Sequence, residues 1–244
     1  MRFETFNRWD FPVDHWLNSQ FGKHVLFDNL VGYISGFDLF NSVLLISAFW
    51  WCWFRSAEQA ARTRDREHVV ATLAAGIISI VFARALALSL PFRVRPRFEP
   101  ALHFVLPAAW NSSFYADWSS FPSDNAMMFA TLATGLCFVS WRVGLLASLY
   151  VPLVICFPRI YIGFHYLTDV LAGLVLGVVC GYLGNLSRPR QWIAKPILRY
   201  ELSWPAGFYT AFFLLTYEFA TLFVSVRGIA QGFVHLIQRL LGVR

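Results

Sequence analysis

Charge is what this sequence has least of. Only 14% of its 244 residues are Asp, Glu, Lys or Arg, and 57% are hydrophobic. A soluble domain carries about 25% charged residues, so the composition excludes that class and points to a chain that meets lipid. The net charge of +6 is scattered, with no long basic stretch and no binding motif beside it. Nucleic acid is therefore excluded as a partner. The four cysteines, Cys52, Cys137, Cys156 and Cys180, lie singly in apolar segments and never at metal-ligand spacing. They read as small buried hydrophobes. No cluster of carboxylates, histidines or cysteines suggests a metal, and no cofactor is called for. The start of the chain, Met1 to Glu4, has no apolar run and no small-residue cleavage site of the kind a signal peptide needs. Internal repeats and low-complexity segments are absent.

What is abundant is aromatic: 25 Phe and 10 Trp, the residues of lipid-facing surfaces and interfacial belts. Apolar stretches of about 20 residues, the length that crosses a bilayer, predict an all-α integral membrane bundle of about six spans. These fall near residues 37–54, 69–90, 123–141, 143–157, 167–186 and 205–226. Residues 1–36 mix Trp9, Phe11, Trp16 and Leu17 with Asp10, Asp14 and Asn18, the pattern of amphipathic helices lying at the membrane surface. A membrane core over 37–186 follows. The remainder, 187–244, holds a basic loop, the last span and an amphipathic C-terminal helix. Dense positive clusters at Arg55 to Arg66 and Arg188 to Arg199 place those loops in the cytoplasm. The 91–122 and 158–166 loops then face the other side of the cell membrane. The first of these two is too polar to cross lipid and too long for a plain connector.

Three polar stretches fall at that same face. One runs from Arg84, an ionisable residue within a span, through Arg93 and Arg95. An intramembrane arginine is functional by default unless it snorkels to the interface, which its distance from Pro91 permits. Another is Ser119 to Asn125, in which Ser123 is placed to N-cap the third span and present free N–H groups to an anion. The last holds Arg159, His165 and Asp169. His165 and Asp169 are four apart, so on a helix they share a face. A carboxylate there can hold one ring nitrogen and raise the basicity of the other. Arg159 offers a planar fork for phosphate oxygens. A buried structural His–Asp link is the bland alternative. Several guanidiniums, a helix N-terminus and a held histidine suit metal-independent phosphoryl transfer through histidine.

These residues resemble the type 2 phosphatidic acid phosphatase superfamily of membrane lipid phosphatases, which is related to the vanadium haloperoxidases. Its motifs are Lys-x6-Arg-Pro, Pro-Ser-Gly-His and Ser-Arg-x5-His-x3-Asp. Arg159, His165 and Asp169 match the third at its spacing, with Pro158 in the serine position. Tyr161 to Gly163 and Asp169 to Gly173 are also similar to the family. Arg95 and Pro96 match the first motif, but Leu88 stands where its lysine would be. Arg84, one turn earlier on that helical face, is the candidate replacement. Pro122 and Ser123 match the second, followed by Asp124 and Asn125 in place of Gly-His. The resemblance covers roughly residues 69–186.

It implies that His165 attacks phosphorus and forms a phosphohistidine, and that Asp169 orients it. Arg84, Arg93, Arg95, Arg159 and the Ser123–Asp124–Asn125 turn would then hold phosphate oxygens. The substrate would be a lipid phosphate or diphosphate, such as a polyprenyl diphosphate or polyprenyl-phosphate sugar, in contact with membrane lipids and cleaved at the extracytoplasmic face. Asn125 stands where the family keeps the histidine that protonates the leaving group. Asp124 is the first candidate to replace that acid and His103 a weaker one. Two alternatives remain open at the level of sequence: transfer of the phosphoryl group to an acceptor other than water, and a non-catalytic lipid-phosphate binder or transporter.

Overall fold

The computed structural model describes residues 3–106, 116–226 and 228. Within them the chain forms the expected all-α membrane bundle, with no strand among the described residues. Ten α-helices follow in order: α1 (Glu4–Gln20), α2 (Val25–Gly36), α3 (Leu44–Phe54), α4 (Gln59–Ser89), α5 (Asp124–Val139), α6 (Trp141–Tyr150), α7 (Phe157–Tyr161), α8 (Leu167–Gly184), α9 (Ser187–Ser203) and α10 (Pro205–Ala220). The expected C-terminal amphipathic helix lies outside the described residues.

Span lengths differ from the sequence expectation. Among the described residues, three helical stretches are long and apolar enough to cross a membrane: Gln59–Ser89, Trp141–Tyr161 and Leu167–Gly184. A fourth is available if α2 and α3, bent by 68° about their junction, count as one broken span. The sequence had assigned α2 to an interfacial segment and only α3 to the core. α4 has 31 residues, so it is about 46 Å long against a hydrocarbon thickness of about 30 Å. Its polar first turns, read as loop, extend the helix beyond the lipid. Trp141–Tyr161 stays helical past Pro152 because a wider π turn over Val151–Cys156 takes up the missing N–H. α5 and α10, expected as the third and sixth spans, have 16 residues each. The segment read as a basic loop is the amphipathic helix α9, with Pro196 inside it.

α5 is the axis of the bundle. Met127, Phe129, Leu132 and Leu136 are fully buried, and α4, α6 and α8 pack around it. Its closest neighbour is α8, which presents Gly173, Gly177 and Gly181 at four-residue spacing. A Cβ at Gly177 would sit 2.2 Å from the Met127 carbonyl oxygen, and one at Gly173 would sit 2.5 Å from that of Ser123. Small residues let two membrane helices approach to backbone contact. Here the approach brings the N-terminal ends of α5 and α8 together, and the Ser123 N–H donates to the Asp169 carbonyl at 3.1 Å. The second and third polar stretches meet at that contact.

Candidate functional site

The chain reverses between α7 and α8 in a tight turn. Gly163 has φ +75°, a conformation that a side chain would strain. The Phe104 ring lies where a Cβ would point, and the Gly163 carbonyl accepts from the Arg97 N–H at 3.0 Å. The Phe164 N–H donates to the Arg159 carbonyl at 2.8 Å, which closes the turn. His165 follows, buried just outside α8. Its Nδ1 lies 2.8 Å from the Ser120 carbonyl oxygen. A carbonyl only accepts, so Nδ1 carries the proton and Nε2 keeps its lone pair. Nε2 lies 3.4 Å from an Arg95 terminal nitrogen. Burial first, and the Arg95 charge next, push His165 down to about 3, with Asp124 acting in the opposite direction. The ring is therefore neutral at physiological pH.

His165, Arg84, Arg95, Asp124, Asn125 and Arg159 line one polar cleft, with Phe164 and Leu222 at its walls. The structure thus brings together six of the nine residues singled out from sequence. Arg95 is fixed by the carbonyls of Trp118 at 3.1 Å and Phe164 at 2.8 Å. Arg84 stacks on the Trp118 ring at 4.3 Å and forms an ion pair with Asp124, so it does not merely snorkel. Arg159 differs from both. Its guanidinium forms no ion pair or hydrogen bond with a described residue, and its Nε is buried without a partner. A guanidinium lining a cleft with donors to spare is suited to an anion. Beside the cleft is an apolar cavity of about 390 Å³. Ile77, Val81, Met128 and Phe223 line it, and it shares Arg84, Asp124, Asn125 and Leu222 with the cleft.

The other three residues stand behind the cleft. Ser123 caps α5, its hydroxyl accepting from the Ala126 N–H at 3.4 Å. Asp169 does not share a helix face with His165, because α8 begins only at Leu167. Its Oδ2 accepts from the Tyr166 N–H at 2.9 Å and lies 3.9 Å from His165 Nδ1. The Ser120 carbonyl, not the carboxylate, makes the direct bond to the ring. Arg93 requires a correction. Expected to hold phosphate, it is 4% exposed and turned away from the cleft. Its guanidinium pairs with Asp169 and, at 2.6 Å, with Asp10 of α1. The Tyr166 ring lies 4.0 Å away on one face. Its terminal nitrogens are taken up by Asp10, Asn7, Thr168 and Asp169, and its unpartnered Nε is buried in a side chain that does not line the cleft. His103, the weaker acid candidate, is not among the cleft residues.

Three residues of the site carry no motif: Ser120, which acts through its carbonyl, Trp118, through its carbonyl and ring, and Leu222, which lines the cleft wall. Sequence reasoning missed the roles of Asp10 and Asp14, although a signal existed. Asp10, Asp14 and Leu17 recur at helical spacing and form the buried face of α1. An amphipathic helix lying on lipid would not turn carboxylates inward.

A neutral histidine among guanidiniums, opening beside an apolar cavity in an all-α membrane bundle, is the class of architecture this chain presents. Residues 66–193 match the PAP2 superfamily, and the chain belongs to that family. Undecaprenyl-diphosphatase BcrC of Bacillus subtilis (strain 168) is 27% identical over 166 residues, covering 66% of this chain and 77% of that protein. The putative undecaprenyl-diphosphatase YbjG of Escherichia coli (strain K12) is 29% identical over 159 residues, covering 64% and 70%. A solved structure, the transmembrane PAP2-type phosphatidylglycerolphosphate phosphatase of Bacillus subtilis, aligns with a TM-score of 0.44 at 19% identity, covering 71% of this chain and 83% of that one.

Proposed function

We propose that this protein is a membrane phosphatase acting on a lipid diphosphate, with a polyprenyl diphosphate as the leading substrate. The observation that carries the reading is the cleft itself: His165 Nε2 stands unprotonated beside Arg95, and Arg159 has donors without partners. The relatives named as undecaprenyl-diphosphatases support the lipid class. The adjoining apolar cavity supports it as well, since it offers a hydrocarbon chain a place next to a bound phosphate. The positive clusters of the opposite loops favour an extracytoplasmic site.

In this reading Arg95 and Arg159 hold the terminal phosphate. The Nε2 lone pair attacks phosphorus, and the bond to the bridging oxygen breaks. Its electrons leave with the lipid monophosphate. The ring, with the phosphoryl group on Nε2 and the proton on Nδ1, becomes cationic. The Ser120 carbonyl and the nearby Asp169 carboxylate stabilise that charge. Water then attacks phosphorus, the N–P bond returns its pair to Nε2, and both protons of the water leave with orthophosphate. Asp124, committed to Arg84, is placed as an acceptor rather than as a proton donor.

The test is phosphate release by the purified protein from polyprenyl diphosphate, polyprenyl monophosphate, phosphatidate and phosphatidylglycerol phosphate. Release from the diphosphate is expected to be fastest. His165→Ala is expected to lower it by more than about 10⁴-fold, because the nucleophile is lost. EDTA is expected to leave it unchanged, because guanidiniums meet the phosphate charge. Full activity in His165→Ala would overturn the mechanism.

A further inference from the structure

α1 lies outside the residues that match the family, yet it is bound into the site. Asp10 is fully buried. Its Oδ1 accepts from the Thr168 N–H at 3.0 Å, and its Oδ2 accepts from the Thr168 hydroxyl at 2.5 Å and from Arg93 at 2.6 Å. Thr168 is in the first turn of α8, where N–H groups have no partner within the helix. Asp10 therefore caps α8 from a different helix, with a negative charge at the positive end of the dipole. Arg93 extends the contact. One terminal nitrogen bonds the Thr168 hydroxyl at 2.9 Å and the Asp169 carboxylate, and the other bonds Asp10 and, at 3.3 Å, Asn7. Asp169 in turn holds the Tyr166 N–H, adjacent to His165.

We propose that Asp10, on α1, is a positioning residue for His165, acting through Arg93, Thr168 and Asp169. The proposal rests on the phosphatase reading above. Arg93 is shared between two carboxylates, one from α1 and one from α8. While Asp10 holds its share, the Asp169 carboxylate remains between Arg93 and the Tyr166 N–H. When the Asp10 charge is removed, Arg93 has Asp169 as its one carboxylate partner and draws it away from the His165 turn. The phosphate-holding groups are not touched by this network: Arg84, Arg95 and Arg159 have no contact with Asp10. The signature is thus a loss in kcat with little change in KM.

The experiment compares Asp10→Asn, Thr168→Val and Leu17→Ala with wild type on polyprenyl diphosphate, measuring kcat, KM and Tm. Asp10→Asn keeps the size and one acceptor oxygen but loses the charge. It is expected to lower kcat by about 10²-fold, the effect of a misplacement of about 1 Å at a reacting centre, with KM within about twofold. Thr168→Val removes the hydroxyl that links Asp10 to Arg93 and is expected to lower kcat about 10-fold, again at constant KM. This second variant decides the matter if Asp10→Asn does not fold. Leu17→Ala loosens α1 against the core without touching the network. It is expected to lower Tm and leave kcat per folded molecule at the wild-type value. Wild-type kcat in folded Asp10→Asn or in Thr168→Val overturns the proposal, as does a loss that merely follows Tm. Absence of His165-dependent phosphate release from the wild type is a different result, and it removes the underlying reading instead.

Discussion

At the scale of single residues, Asn125 is the position on which the proposed preference for diphosphates turns. It lines both the polar cleft and the apolar cavity, at the start of α5. An amide cannot supply a proton to a leaving group, and the neighbouring Asp124 is held by Arg84. An alkyl phosphate ester expels an alkoxide, which needs a proton in the transition state. A diphosphate expels a phosphate monoester, already a weak base. Loss of a positioned acid therefore penalises the ester by about 10²–10⁴-fold and the anhydride far less. Asn125→His is expected to raise monophosphate cleavage more than diphosphate cleavage, read as the ratio of kcat/KM on matched lipids. Equal rates on both substrates in the wild type would show that another group supplies the proton.

At the scale of the element, α1 carries a titration that should be visible in stability. Burial first, then Asp10 and Asp169, raise Asp14 to about 8, with Arg93 acting in the opposite direction. Neither of its side-chain oxygens has a hydrogen-bond partner among the described residues. The folded carboxyl therefore keeps its proton where the unfolded one, near 3.8, has lost it. Between those two values the folded state binds more protons, so its stability falls as pH rises from about 4 to about 8 and levels off above. Asp14→Asn removes the charge that must otherwise be buried. It is expected to flatten this part of the Tm-against-pH curve and to raise Tm most at alkaline pH. An unchanged slope in the variant would mean that Asp14 meets water in the folded protein.

At the scale of the whole molecule, cleft and cavity together specify a substrate with a phosphate at one end and a long chain at the other. The cavity wall is built from α4, from Met128 of α5 and from the chain after α10, which turns through left-handed Leu222 and Phe223 at φ 55° and 56°. Those last residues lie beyond the family match. Val81 lines the cavity and not the cleft. Val81→Trp is expected to raise KM for a long-chain diphosphate about 10-fold. A short-chain diphosphate, which does not reach the cavity, should keep its KM. Equal effects on both chain lengths would move the chain-binding path elsewhere.

The sequence by itself determined the membrane class, since scarcity of charge and runs of apolar residues are properties of composition and local pattern. It also determined the histidine and arginine of the third stretch, because their spacing is local: one tight turn, opened by Gly163, carries both Arg159 and His165. The tertiary structure decided which polar residues face the cleft. Arg93 and Arg95 are two apart and look alike in sequence, yet one is locked between Asp10 and Asp169 and the other faces His165. The Asp10–Arg93 contact joins residues 83 positions apart, and no periodicity encodes a partner at that distance. The same holds for the Ser120 carbonyl that sets the His165 tautomer, since every residue carries a carbonyl and only folding selects one. The helix α9 stands where the sequence reads as a basic loop, because helix formation is set by packing neighbours as well as by local hydropathy. Short-range pattern is written in the chain. Long-range charge pairing is settled only when burial makes an unpaired ion too costly to keep.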